Sequence, residues 1–116
     1  MEQLMEYLLH YVWQHRLYGL APLATTDGQA VDVIDPGVHN LVNSGPDFFN
    51  AKVKINGMLW AGNVEVHERS SDWFRHHHDT DAAYNNVVLH IVSAADAEVH
   101  TADGKQLPQM VLSVPD

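Results

Sequence analysis

The dipeptide Asn56-Gly57 narrows what this chain can fold into more than any other feature. A two-residue hairpin turn needs positive φ at both central positions, which Asn and Gly tolerate best. On one side Ala51 to Ile55 alternates apolar residues with Lys, and on the other Met58 to His67 forms a second strand. A β-hairpin is predicted, with Val64 and Val66 turned inward and Glu65 and His67 outward. Upstream, residues 2–16 repeat apolar side chains at helical spacing, Leu4, Leu8, Tyr11 and His15 on one stripe and Met5, Leu9, Val12 and Trp13 beside it. Gly19 and Pro22 stop that helix, and Thr26-Asp27-Gly28-Gln29 turns the chain into a strand, Ala30 to Ile34, ended by Asp35-Pro36-Gly37. Residues 38–47 are rich in turn formers and predict a loop. Ser70-Ser71-Asp72 offers N-cap chemistry for a helix from Trp73 to Tyr84, and Val87 to Val92 reads as a buried strand interrupted by His90. The tail suggests a second hairpin, Ala97 to His100 with Leu107 to Val114, whose later strand Pro108 confines to an edge. The order of helix, strand, hairpin, helix, strand and appended hairpin predicts a mixed-sheet α/β, or α+β, domain.

With 116 residues, 46% of them hydrophobic, the chain supports one core. It has no apolar run near the roughly 20 residues that span a bilayer. Glu2 and Glu6 stand where a signal peptide carries basic residues, so a soluble, unexported protein without a membrane partner is expected. The absence of Cys suits the cytoplasm and leaves His and carboxylates as the metal ligands available. Fifteen Asp and Glu against six Lys and Arg give a net charge of −9, which disfavours nucleic acid or another phosphodiester polyanion as a partner. Nine His make the field of the protein sensitive to pH.

The chemistry-bearing residues gather at the open end of the hairpin. Asp47 follows Gly45-Pro46, and Glu65-Val66-His67 lies on the returning strand. An unbroken ladder from the turn pairs Asp47 with Val66, on the face opposite Glu65 and His67. One β-bulge, at Gly62-Asn63 or in an irregular start after Pro46, would bring Asp47 opposite Glu65 or His67 instead. Two carboxylates closing with the Val66 backbone carbonyl would form an oxygen cage for Mg²⁺ or Mn²⁺, with His67 as base, ligand or protonated stabiliser. Glu65 and His67 fit equally the solvated face of an amphipathic strand. His76-His77-His78 with Asp79 and Asp81 offers Zn²⁺ a second candidate site, or forms a solvated helix face. His90, buried in its strand, needs a hydrogen-bond partner or a ligand. His10 and His15 are assigned to packing and capping, and His39 lies within reach of Asp47 without an assigned role.

Several segments together resemble the N-terminal part of a bacterial family known as domain of unknown function 2851. They are Leu9-His10-Tyr11-Val12-Trp13, Gly45-Pro46-Asp47-Phe48-Phe49-Asn50-Ala51-Lys52, Gly62-Asn63-Val64-Glu65-Val66-His67, Ser70-Ser71-Asp72-Trp73 and Tyr84 to His90. Members of that family run to several hundred residues, so the resemblance implies that 1–116 is a single domain, the N-terminal module of a longer protein.

Pro46-Asp47 and Glu65-Val66-His67 are also remotely similar to the signature of restriction-endonuclease-like nucleases, Pro-Asp followed on the next strand by Asp or Glu, any residue, Lys. That likeness implies Asp47 and Glu65 as metal ligands with the Val66 carbonyl, and Glu6 as an additional acid. His67 would occupy the lysine position, with Lys52 as a substitute for the missing charge. The implied activity is divalent-metal-dependent phosphodiester hydrolysis. His67 would have to be protonated to stabilise phosphoryl charge, and Glu65 and Glu68 are expected to raise its pKa. If residues 72–80 were a strand, His76 and His78 would point the same way, resembling the His pair of cupin-like β-barrels, the alternative fold. The alternative function is a non-catalytic interaction or assembly module, favoured by the acidic charge and the absent lysine.

Overall fold

The computed structural model describes residues 2–41 and 44–115, so Val42 and Asn43 of the predicted loop lie outside the described residues. Helix α1 (Glu2–Gln14) is followed by β1 (Leu23–Ala24), β2 (Ala30–Asp35), β3 (Val38–His39), β4 (Phe48–Ile55) and β5 (Met58–Arg69). Then come α2 (Asp72–Arg75), 3-10 turns at His78–Thr80 and Ala82–Tyr84, β6 (Val87–Ala94) and β7 (Gln109–Val111). The strands form one mixed sheet in the order β1-β2-β4-β5-β6-β7, with β3 also paired to β4. The Thr26 N–H donates to the Gln109 carbonyl at 2.8 Å, so the β1–β2 turn meets β7 and the sheet nearly closes into a barrel-like ring. The architecture is mixed α/β, mostly sheet. Among the described residues no helix is long and apolar enough to cross a membrane.

The turn between β4 and β5 has Asn56 at φ +52° and Gly57 at φ +80°, the pair of positive values that matches the twist of its strands. From there the ladder runs evenly to Ala51↔Gly62 and then slips, because the next pair is Phe48↔Val64. Two residues of β4, Phe49 and Asn50, therefore oppose Asn63 alone. Asn50 takes φ +59°, and its N–H donates to Asn63 Oδ1 at 3.2 Å. The bulge is on β4 rather than at Gly62-Asn63 on β5. Gly37, at φ +92°, backs onto it so closely that a Cβ there would lie 2.8 Å from the Phe49 carbonyl.

Helix α1 covers one face of the sheet. Of its two apolar stripes the core takes Leu9, Val12 and Trp13, which pack with Phe48, Val64, Val66, Leu89, Ile91 and Met110, while Leu4 and Tyr11 stay exposed. The Trp13 indole N–H donates to the Pro36 carbonyl at 3.0 Å. Strands β5 and β6 run parallel, so the chain between them must cross the sheet, and it does so over the opposite face. There Trp73, Tyr84, Val87, Val99 and Leu107 form a second apolar cluster.

The long helix expected from Trp73 to Tyr84 is replaced by one short turn of α-helix and two 3-10 turns. His77 takes φ +61°, a left-handed conformation that ends α2 and redirects the chain, and Asp81 is extended. Ser71 does not cap α2. Its Oγ donates instead to Asp96 Oδ2 at 2.7 Å, and Asp72 Oδ2 accepts from the Arg69 N–H. The C-terminal hairpin is reduced to a single bridge, His100↔Gln106, after which Gln109–Val111 pairs in parallel with β6. Its place at the sheet edge agrees with Pro108, whose carbonyl accepts from the His90 N–H.

Candidate functional site

The bulge carries Asp47 to the face of Glu65. The Asp47 N–H donates to Glu65 Oε1 at 3.1 Å, and Asp47 Oδ2 accepts from the Val66 N–H at 2.8 Å. Val66 thus enters the network through its N–H, where its carbonyl had been expected. Burial drives the Glu65 carboxyl well above the usual range, and the charges of Asp47 and Glu6 push the same way. Burial also acts upward on Asp47, but bonds from His10, Glu65 and the Val66 N–H outweigh it and hold this carboxyl below its ordinary value. The two carboxyls are therefore pushed in opposite directions, Glu65 up and Asp47 down. Glu6 on α1 is half-buried and also raised, by burial and by the charges of Asp47 and Asp72, while the Glu68 N–H opposes them. Three carboxyls, from α1, the residue before β4 and the middle of β5, thus influence one another electrostatically.

Glu65 and His67 are not a solvated face: they are 4% and 2% exposed. The crossover lies over them and delivers two more imidazoles. His78 Nε2 is 2.8 Å from Glu65 Oε2, and His67 Nε2 is 3.4 Å from the same oxygen. His76 Nδ1 is 3.1 Å from His67 Nε2. The ligand atoms of His67, His76 and His78 all lie within 4.8 Å of one another. His78 is stacked on Tyr84 at 3.7 Å and its Nδ1 is buried without a hydrogen-bond partner. His76 is exposed and opens the cluster to solvent.

The protons of this cluster follow from a relay at its back. Gln109 Nε2 donates to the Ala97 carbonyl at 2.7 Å, leaving Oε1 to accept from His90 Nδ1 at 2.9 Å. His90 is fully buried and its pKa is pushed down to about 4, mainly by burial, so it is neutral and its Nε2 bears a lone pair. That nitrogen lies 2.8 Å from His67 Nδ1, which must be the donor. Burial, reinforced by the imidazoles of His90, His78 and His76, pushes His67 down to about 2. The expectation that Glu65 and Glu68 would keep His67 protonated is overturned, because desolvation and three neighbouring rings outweigh the carboxylates. His67 is a neutral imidazole whose Nε2 lone pair is aimed at Glu65 Oε2 and His76. His78 is likewise lowered to about 4, mainly by burial.

Other candidates lie elsewhere. Lys52 is exposed on β4, opposite Ala61 and Asp35, five positions along the strand from Asp47, and is not brought to the cluster. Asp81 Oδ1 accepts from the Ala83 N–H at 2.9 Å and caps the second 3-10 turn, so it does not join the imidazoles. His90 is the satisfied core histidine described above, set behind the site. His76 and His78 belong to the crossover and not to a strand, so the nearly closed sheet is what the molecule has in common with a cupin-like barrel.

Three contributors were not singled out from sequence. His10, assigned to packing, places Nε2 3.4 Å from Asp47 Oδ2 and Nδ1 3.1 Å from His39 Nε2, and His39 stacks on Phe48. Its spacing of four from Glu6 on one helix is the signal that could have found it. Tyr84, raised to about 12 chiefly by burial and by Glu65, and Gln109, beyond Pro108, have no local signature.

The family model described as "Protein of unknown function (DUF2851)" matches residues 6–115. No curated protein and no solved structure matches the chain.

Proposed function

We propose that this chain, which belongs to the DUF2851 family, is a divalent-cation-dependent hydrolase of phosphodiesters centred on Asp47 and Glu65. The observation that carries the reading is the bulge at Phe49-Asn50, a device that serves no ladder pairing and sets two carboxyls side by side. The order of helix, antiparallel strands, crossover and parallel strand supports it, since under the remote likeness of the Pro46-Asp47 and Glu65-Val66-His67 segments to nuclease-like cores Asp47 and Glu65 would be the acids.

The residues present fit a hard cation. Glu6, Asp47 and Glu65 supply oxygen donors, and burial together with the charges of Asp47 and Glu6, which push the Glu65 carboxyl upward, marks where positive charge would be favoured. Such a cation, Mg²⁺ or Mn²⁺, would supply a water of lowered pKa and neutralise phosphoryl charge. The chain does the positioning. The Val66 N–H and the His10 imidazole hold Asp47, and the Asp47 N–H holds Glu65. His67, neutral, contributes no fixed charge, so activity depends on the cation more than in an enzyme with lysine at this place.

The test is hydrolysis of bis(p-nitrophenyl) phosphate and of short single-stranded DNA with Mg²⁺ or Mn²⁺ from pH 5 to 9. Asp47→Asn and Glu65→Gln are each expected to lower the rate at least about 100-fold. A second reading, an interaction module, is favoured by one observation: Met58, Leu59 and Trp60 at the hairpin tip are 61%, 55% and 47% exposed. Inertness of the wild-type chain on both substrates with both cations would decide for that module.

A further inference from the structure

The geometry points to a second cation site on the far side of Glu65, in which His67 Nε2, His76 Nδ1, His78 Nε2 and Glu65 Oε2 bind a borderline divalent ion of the Zn²⁺ class. The two oxygens of Glu65 look in different directions. Oε1 accepts from the Asp47 N–H, whereas Oε2 faces the imidazole nitrogens of His78 and His67, at 2.8 Å and 3.4 Å. Four ligands about 2.0–2.1 Å from a tetrahedral ion stand roughly 3.3 Å apart. The pairs His67–His76 at 3.1 Å and His67–Glu65 at 3.4 Å already have that spacing, and none of the three imidazole ligand atoms is more than 4.8 Å from another.

The donor set decides the class of ion, because three imidazoles and one carboxylate suit Zn²⁺, Co²⁺ or Mn²⁺ far better than Mg²⁺. Two further observations point to a ligand rather than to packing. The relay from the Ala97 carbonyl through Gln109 and His90 fixes the His67 tautomer with its Nε2 lone pair toward Glu65, the second-shell arrangement seen behind metal-bound histidines. His77 stands in a left-handed conformation that turns the chain between His76 and His78.

This site shares Glu65 with the proposed hydrolytic pair and does not depend on hydrolysis. It is tested on the full chain, freed of metal by chelator, by competition for Zn²⁺ against a chromophoric chelator and by the visible spectrum of the Co²⁺ form. One Zn²⁺ per chain and the strong visible bands of four-coordinate Co²⁺ are expected. His76→Ala, at an exposed position that leaves folding intact by circular dichroism, should weaken Zn²⁺ at least about 100-fold, no less than loss of an outer-shell partner costs. Removal of the other ring of the run that lies outside the cluster by His77→Asn, which tolerates the left-handed backbone, should leave affinity as it is, and Asp47→Asn should retain Zn²⁺ while losing Mg²⁺-dependent hydrolysis. The site is refuted if His76→Ala binds Zn²⁺ as tightly as the parent chain, or if His77→Asn or Asp47→Asn weakens it as much as His76→Ala. Hydrolysis that fails while Zn²⁺ binding follows this pattern removes only the catalytic reading.

Discussion

On one face of β5, Val64 and Val66 lie against α1 with 0% and 1% of their surface exposed, and on the other Glu65 and His67 lie under the crossover with 4% and 2%. Both faces are dry, but only one is apolar. The α1 face is held by dispersion and the hydrophobic effect, which are non-directional and tolerate imprecision. The crossover face is held by hydrogen bonds among a carboxyl, three buried imidazoles and an amide, each of which must find a partner or lose its solvation for nothing. Stability resides mainly on the first face, and the second holds its polar groups in fixed geometry.

The largest effect that would sharpen this contrast is on the apolar side. Trp13→Ala removes a fully buried ring and its bond to the Pro36 carbonyl. A loss of about 3–5 kcal/mol is expected in urea unfolding. A loss no larger than that of a surface substitution would show that α1 is not the anchor.

Acid should act through the polar side. The folded pKa values of His67, His78 and His90 lie below the unfolded value of 6.5, at about 2, 4 and 4. The unfolded chain therefore binds more protons, so their stabilisation is complete above pH 6.5 and is lost as pH falls. Glu65, raised above 4.5, acts in the opposite sense. The three histidines give at most about 4 kcal/mol per pH unit near pH 5 in chelator-treated protein, reduced by the opposing share of Glu65. A urea midpoint that stays level or rises on acidification from pH 7 to 5 would contradict the buried neutral histidines.

The smallest effect on stability is expected where the effect on chemistry is greatest. Glu65→Gln retains an oxygen for the Asp47 N–H and offers an N–H toward the imidazoles, while removing a carboxyl crowded by Asp47 and Glu6. Stability should change by no more than about 1 kcal/mol, because a satisfied neutral group replaces a repelled one. A much larger loss in urea unfolding would make Glu65 a structural residue after all, and the two faces of β5 would no longer differ in kind.

Local chemistry alone determined the helix at the N-terminus, the Asn56-Gly57 turn, the edge position after Pro108 and the need for a bulge if Asp47 was to meet Glu65. These depend on the dihedral preferences of Asn, Gly and Pro and on side-chain periodicity, which operate over a few residues. Periodicity assigns side chains to faces and does not say what covers a face, so Glu65 and His67 read equally well as solvated. The tertiary structure decided that they are buried, that the bulge falls at Phe49-Asn50, and that His67 meets His76 and His78 while His77 is turned away. It decided as well that Gln109, far along the chain, sets the proton on His90 and through it the lone pair of His67. All but the bulge, which lies in the antiparallel β4–β5 ladder, depend on parallel pairing of β5 with β6 and β6 with β7 across long connections. The free energy of those contacts comes from surfaces that meet only when the sheet has formed, and no short stretch of residues contains it.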